Sequence, residues 1–271
     1  NFMRIQHNIA GLNSYRNLGV NQRNLSKNLE KLSSGFRINR AGDDAAGLAI
    51  SESMRSQING LNQAAKNADD AIGLIQTAEG ALTETHSMLQ RLKTLATQGA
   101  NGTYDTTARG NIKQEIDDLV KEIDRISEST DFNGVKPLKD GTNFTFQIGA
   151  TKTEVMDFAS TGMDATTLGV NDLKVDTTTN ANTAIETIDA AIDQVSTYRA
   201  TLGAKQNRLE HTVNNLNVTA ENITAAESRI RDTDMADEMT AFTKNNILSK
   251  AAQSMLAQAN AQPQGILSLL Q

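Results

Sequence analysis

The chain has 271 residues, a formal charge of −6 and no Cys or Trp, and only 4% of its residues are aromatic. Without Cys, disulfides, thiolate metal sites and cysteine nucleophiles are excluded, and the mild acidity argues against broad binding to a nucleic-acid backbone. The three His are far apart in sequence, so no His-based metal site is expected. No run approaches the ~20 apolar residues of a membrane span, and no apolar secretory signal is evident.

Apolar residues spaced alternately by four and three positions predict a helix over 3–33 and a longer one over 48–98. The longer helix carries two adjacent apolar seams, which indicate contact with neighbours on more than one side. The seams are Ile72, Ile75, Leu82 and Leu89, and Leu74, Ala78, Ala81, Met88, Leu92 and Leu95. A shorter apolar repeat between Ile112 and Ile126 predicts a third helix.

The middle of the chain has a different pattern. Residues 132–141 contain Asn-Gly, Pro and Asp-Gly turn signals. Phe144, Phe146 and Ile148 then alternate with polar residues, which predicts a β-hairpin. Thr- and Asn-rich segments continue to about position 182, and we expect them to form surface loops that tolerate change.

Heptad spacing returns over 181–233 and slips at 231–234. A last helix is predicted over 235–262, with Pro263 and Gly265 interrupting it before the final six residues. The long helices have similar lengths, and so do the terminal ones. We therefore predict a mainly α fold: an elongated antiparallel coiled-coil or helical-bundle rod with a small β-hairpin region at mid-chain. At ~1.5 Å per residue, each long helix spans roughly 75–80 Å.

The glycine-rich stretch from Leu32 to Ser51 breaks the helical pattern. It lacks the lysine of a phosphate-binding loop and no strand precedes it. Asp43 and Asp44 are adjacent, so on a helix they would point in different directions and would not make a catalytic pair. Carboxylates are favourable at a helix N-terminus, and the stretch is interpreted as a helix break with a salt-bridged surface. No catalytic, cofactor-binding or metal-binding residue is predicted.

The terminal segments contain few large apolar residues for their length. Their burial cannot offset the conformational entropy lost when each segment orders alone. We therefore expect the terminal segments to order only when partners surround them, which favours an assembly.

Three stretches carry a family resemblance: EKLSSGFRINRAGDDAAGLAIS (30–51), ENITAAESRIRDTDMADEM (221–239) and QPQGILSLLQ (262–271). They resemble the N- and C-terminal signatures of bacterial flagellin, and the short middle resembles the minimal flagellins of Gram-positive bacteria. The resemblance implies a subunit that self-assembles into the extracellular flagellar filament for swimming motility. It also implies export by the flagellar type III apparatus without a cleavable signal peptide.

The resemblance implies four regions. Residues 1–33 with 235–271 would form a terminal coiled-coil inner core, and 34–47 with 231–234 a spoke. Residues 48–130 with 181–230 would form an outer-core bundle, and 131–180 the β-hairpin and surface loops. The expected assembly and spoke residues are Gly35, Arg37, Arg40, Asp43, Asp44, Arg229, Arg231 and Asp232.

The resemblance further implies partners besides other copies of the chain. These are a secretion chaperone on the C-terminal helix, the filament cap, hook-junction proteins and the flagellin-sensing Toll-like receptor of hosts, with no nucleic acid or membrane. Residues 89–98 and 113–116 match the receptor patch, which carries over Arg91, Leu95 and Glu115.

Two other functions stay open on the sequence. A hook–filament junction protein shares a similar N-terminal pattern, although the fit at both ends favours flagellin. A soluble coiled-coil signalling protein would have a continuous helical turn at mid-chain, whereas this chain has Pro, Gly and a predicted hairpin there.

Overall fold

The computed structural model describes residues 8–139 and 141–269, with 263–269 described by their backbone alone. The helices are α1 Ile9–Ser34, α2 Ala45–Gly99, α3 Thr106–Ser129, α4 Thr178–Arg231 and α5 Met235–Leu269. The strands are β1 Asn143–Gln147 and β2 Val155–Ala159. The mainly α fold with a small mid-chain hairpin is therefore confirmed. Residues 1–7 and 270–271 of the expected inner core lie outside the described residues.

The chain divides into two compact units. The terminal unit comprises the residues up to Ser56 and from Asn222 onward, and the central unit comprises Gln57–Glu221. Both divisions fall inside helices, within α2 and α4, rather than at the glycine-rich stretch. The four-region division expected from the sequence stays a prediction.

The central unit has a closed apolar core. Both seams predicted on α2 contribute to it: Leu82 and Leu89 from one and Leu92 from the other are fully buried. Ile116 and Ile123 of α3 and the apolar face of α4 complete the same cluster. The helical spacing of apolar residues thus predicted which faces pack.

The hairpin adds aromatic side chains to this core. β1 and β2 pair antiparallel, with Phe144 opposite Phe158. The Phe158 side chain is 1% exposed, and its ring centroid lies 6.1 Å from that of Phe144 and 6.2 Å from that of Phe146. A tight turn at Asn133 and Gly134, both with positive φ, precedes the hairpin as the Asn-Gly signal predicted.

The expectation that the segment up to about residue 180 forms surface loops is wrong for 163–175. Six residues there are exposed by 4% or less and belong to the main core: Met163, Ala165, Leu168, Val170, Leu173 and Val175. They follow neither the helical nor the strand period, because turns reorient the backbone between them. The left-handed Gly169 (φ 74°) is one such turn position.

The terminal unit lacks a comparable core among its described residues. α1 packs against α5, but the positions that α1 buries are Gly11 and Asn28. Large apolar side chains of both helices face outward, including Leu12 at 66% exposure and Met255 at 63%. The described part of the terminal unit therefore leaves much of its apolar surface uncovered.

The expected interruption of the last helix at Pro263 and Gly265 is wrong, since α5 continues to Leu269. A proline removes one helical hydrogen bond, the one to the carbonyl four residues earlier. Here that carbonyl belongs to Ala259, and it accepts a hydrogen bond from Asn8 Nδ2 at 2.8 Å. A contact distant in sequence thus satisfies the group that the proline leaves free.

Candidate functional site: the helix joint and the exposed terminal helices

The helix joint, residues 34–47 with 231–234, begins at the end of α1. Gly35 caps this helix in the left-handed conformation, with φ 75°. Its N–H donates to the Lys31 carbonyl at 2.8 Å, an arrangement in which glycine is favoured because it has no Cβ. Gly35 therefore ends α1 and turns the chain away from the helix axis.

The two segments expected to form a spoke are hydrogen-bonded to each other. The Arg37 N–H donates to the Arg231 carbonyl at 2.6 Å, and the Thr233 N–H donates to the Gly35 carbonyl at 3.0 Å. Phe36 and Asp232 form an antiparallel bridge between these bonds. The slip in apolar spacing at 231–234 thus corresponds to a short pairing of the two segments within the terminal unit.

Arg231 is a largely enclosed charged residue of the joint, with a side chain 12% exposed. Its guanidinium carbon lies 4.7 Å from the centroid of the Phe36 ring, within range of a cation–π interaction. Its Nη1 donates to Glu52 Oε1 at 2.8 Å. The Arg231 side chain therefore connects the segment after α1, at Phe36, to the first turns of α2, at Glu52.

The other charged residues of the joint have separate roles. Arg37 donates from Nη2 to the Ile230 carbonyl at 2.5 Å, so it makes no ion pair there. Arg40 Nε pairs with Glu30 at 2.8 Å. Both partners are substantially exposed, and such pairs contribute little to stability.

Asp43 and Asp44 act on the turn before α2. Asp43 Oδ2 accepts the Arg40 N–H at 3.2 Å and Oδ1 lies 3.5 Å from Lys27 Nζ. The hydrogen bond from the Arg40 backbone, followed by the one from Asn39 and the charge of Lys27, holds the pKa of the Asp43 carboxyl below its ordinary value. Asp44 Oδ1 accepts the Gly47 N–H at 2.9 Å, as an N-cap does. The predicted favourable carboxylate at the start of α2 is confirmed for Asp44.

The last two expected joint residues differ from each other. Asp232 Oδ2 accepts a hydrogen bond from the Ser228 hydroxyl at 2.6 Å, which ties the residue after α4 to the last turn of that helix. Arg229 is exposed and has no ion pair among the residues that the structure describes. The structure therefore brings together all the expected joint residues except Arg229.

Sequence reasoning missed several residues that hold the joint and the terminal helices. Ser51 is fully buried and donates to Glu227 Oε1 at 2.9 Å. Ile38 is 1% exposed and lies under the turn, where a Cβ on Gly47 would come within 2.9 Å of its Cδ1 atom. Ile38 falls within a stretch that has no periodicity, and a serine near a helix start carries no distinctive signal.

The second part of the candidate site is the outward face of the terminal helices. Its large apolar side chains are about 40–68% exposed: Ile9, Leu12, Tyr15, Val20 and Leu29 on α1, and Met235, Met239, Ile247, Leu248 and Met255 on α5. So many large apolar side chains exposed on one pair of helices indicate an interaction surface. We call this set the terminal apolar face.

The residues matched to the receptor patch are only partly at the surface. Arg91 donates from Nε and Nη2 to Glu115 Oε1 at 2.9 and 2.6 Å, and both side chains are about half exposed. Leu95 is 2% exposed and belongs to the core. The Leu95 side chain is therefore not at the surface of the central unit, and the role of the three residues in receptor binding stays a prediction.

The described residues contain no group of three or more His, Asp or Glu that could hold a metal ion. Among the same residues, no helix is long and apolar enough to cross a membrane. The arrangement offers helix ends, backbone pairing and apolar surface, which serve protein–protein contact.

Comparisons with known proteins agree with this description. The bacterial flagellin N-terminal helical region matches residues 5–143, and the C-terminal helical region matches 185–270. Flagellins from Bacillus subtilis and Halalkalibacterium halodurans are 54% and 52% identical, each alignment covering 99% of this chain and 100% of the relative. The crystal structure of Bacillus cereus flagellin is 33% identical, with a TM-score of 0.52 over 60% of this chain and 94% of that one.

The family models match both ends of the sequence, and the joint lies within the stretches that they cover. Full-length flagellins align along nearly the whole chain. The protein therefore belongs to the bacterial flagellin family.

Proposed function

We propose that this flagellin is the repeating subunit of an extracellular flagellar filament and that neighbouring copies cover its terminal apolar face. The filament role follows from family membership; one relative, 49% identical, is the flagellar filament 33 kDa core protein of Treponema phagedenis. Flagellin is a structural protein and not an enzyme, so the prediction of a structural role is confirmed.

The two units differ in how much of their apolar surface they bury, and this difference supports the assembly mechanism. The central unit closes its own core, whereas the terminal unit exposes side chains such as Ile247 (62%) and Met255 (63%). Exposed apolar side chains gain ~1.5–3 kcal/mol each when they are buried. A neighbouring copy that covers this face therefore supplies the stabilisation that the terminal helices do not provide by themselves.

The test is seeded polymerisation of purified protein. Replacing Ile247 with Ser should raise the critical concentration roughly tenfold or more, since each lost ~1.4 kcal/mol is a factor of ten. Val155→Ser is the matched control, because Val155 is also an exposed apolar residue (40%) but lies on the hairpin of the central unit. Equal effects of the two substitutions would contradict the proposed role of the terminal apolar face.

A second test removes the terminal segments. Deleting 1–33 or 235–271 should leave a helical monomer, since the main core lies between Ala68 and Leu209, but the truncated protein should not polymerise. Filaments grown from either truncated protein would contradict the mechanism.

Further partners are proposed on the basis of family resemblance. We propose that a secretion chaperone binds the exposed face of α5 before export and that the filament cap and hook-junction proteins contact the terminal helices. The hook–filament junction alternative is not favoured, because flagellin family models match both ends. Restoration of full-length filaments in a strain without flagellin would distinguish a filament subunit from a junction protein.

A further inference from the structure

Asn8 contacts both terminal helices through one side-chain amide. Its Oδ1 accepts the Gly11 N–H at 2.9 Å, which caps the start of α1. Its Nδ2 donates to the Ala259 carbonyl of α5 at 2.8 Å. The acceptor and the donor of the same amide thus serve two different helices.

The Ala259 carbonyl is available because of the sequence of α5. In a regular helix this carbonyl accepts the N–H of residue 263, but residue 263 is proline and has no N–H. α5 nevertheless continues beyond this point. Asn8 therefore replaces the hydrogen bond that the helix cannot make internally.

The contact around Asn8 leaves little space at Gly11. Gly11 is buried, and a Cβ at this position would lie 2.9 Å from Asn8 Nδ2 and 3.3 Å from Asn260 Oδ1. These distances are tighter than ordinary contacts, so a side chain at Gly11 would displace the Asn8 amide and crowd the Asn260 side chain. The glycine allows the amide to reach the carbonyl.

Apolar packing fixes the alignment of α1 and α5 only in part. The residues that α1 buries are Gly11 and Asn28, and the buried residue described on α5 is Ser249. The other large apolar side chains are either exposed, such as Leu12 and Met255, or only half-buried, such as Leu25 and Phe242. Polar contacts therefore add to the alignment. Lys31 Nζ of α1 lies 3.7 Å from Glu238 Oε2 of α5, and a polar residue with one available partner can specify the register of a helix pair.

We propose that Asn8 and the carbonyl left free by Pro263 form a register lock that fixes the alignment of α1 along α5. Sliding the helices by one turn, about 5.4 Å, would leave both the Asn8 amide and the Ala259 carbonyl without their partner. The lock thus favours the observed alignment of the terminal helices over one shifted by a turn. Because its effect is measured as filament formation, this inference rests on the proposed function.

The test is a double-mutant cycle in seeded polymerisation of the full chain. Asn8→Ser retains a neutral helix-capping group but is too short to reach Ala259. It should raise the critical concentration roughly five- to tenfold, the loss expected for one partly buried hydrogen bond. Pro263→Ala restores the N–H of residue 263, so in that background Asn8→Ser should change the critical concentration less than twofold.

Two further measurements separate the possible outcomes. Circular dichroism of the monomers should show equal helicity for the wild-type and Asn8→Ser proteins, because capping is retained. An equal effect of Asn8→Ser in both backgrounds would overturn the register lock. Failure of the wild-type protein itself to polymerise would instead overturn the proposed function.

Discussion

The guanidinium of Arg231 lies over the ring of Phe36, with 4.7 Å between Cζ and the ring centroid, and pairs with Glu52 at the same time. Arg231→Ala removes both contacts, worth together about 1–2 kcal/mol for a largely enclosed group. Tryptic cleavage after Arg37, whose N–H bonds to the Arg231 carbonyl, should then accelerate about 5- to 30-fold as the joint opens more often.

Arg229 provides the matched control for this measurement. It is exposed and has no ion pair among the described residues, although it lies only two positions away on α4. Arg229→Ala should leave cleavage after Arg37 unchanged. The same acceleration in both variants would mean that the contacts of Arg231 do not hold the joint.

The receptor patch expected from the family resemblance contains two surface residues and one core residue. Arg91 and Glu115 pair at the surface of the central unit, so replacing both with Ala should cost only about 0–1 kcal/mol of stability. If the flagellin-sensing Toll-like receptor contacts them, signalling by this variant should fall strongly while its helicity is retained. Lys121→Ala, which removes another exposed ion pair on α3, is the control and should signal normally.

Leu95→Ala should behave in the opposite way. The side chain is buried, and removing a buried leucine side chain costs about 2–5 kcal/mol. Urea denaturation should show this loss, whereas signalling measured at equal concentrations of folded protein should not change. Weaker signalling by a fully folded Leu95→Ala protein would argue against burial of this residue.

The segment 163–175 should be essential for the stability of the central unit. Leu168 is 3% exposed within the main core, so Leu168→Ala should lower the free energy of unfolding by about 2–5 kcal/mol. Lys174→Ala is the control, because Lys174 lies in the same segment but is exposed and forms an ion pair with the neighbouring Asp172. A deletion across this segment that left the unfolding midpoint unchanged would contradict its place in the core.

Acid should loosen the turn before α2 through Asp43. The folded-state pKa of this carboxyl lies below its ordinary value of 3.8, chiefly because of the hydrogen bond from the Arg40 N–H. Its stabilising effect is therefore fully present above that ordinary value and is lost as the pH falls through the lower, folded-state pKa. Protection of the Arg40 amide against hydrogen exchange should fall over that range, and in Asp43→Asn protection should not vary with pH there.

Local periodicity accounts for what the sequence predicted. The seams through Leu82 and Leu92 repeat over many turns, so the core faces of α2 could be identified without any knowledge of its partners. The hairpin was similarly marked by alternation around Phe146 and by the turn signals before it. Period and turn chemistry are properties of neighbouring residues, and sequence inspection detects them directly.

The missed features depend on residues that are distant in sequence. Val170 and Leu173 are buried because turns direct them into a core built by the helices, and no period marks them. Pro263 normally predicts a helix end, and here a residue near the other end of the chain satisfies the free carbonyl. In the joint, the charge pattern identified Arg231 and Asp43 but not their partners Phe36 and Lys27.

The contact between Asn8 and Ala259 can form only late in biosynthesis. The two residues are 251 positions apart, and a ribosome adding about 5–20 residues per second needs roughly 10–50 s to span that interval. Throughout this time the nascent α1 segment has been made but its partner helix has not. The apolar side chains of α1 are therefore exposed to the cytosol from the first seconds of translation, when aggregation and proteolysis compete with folding.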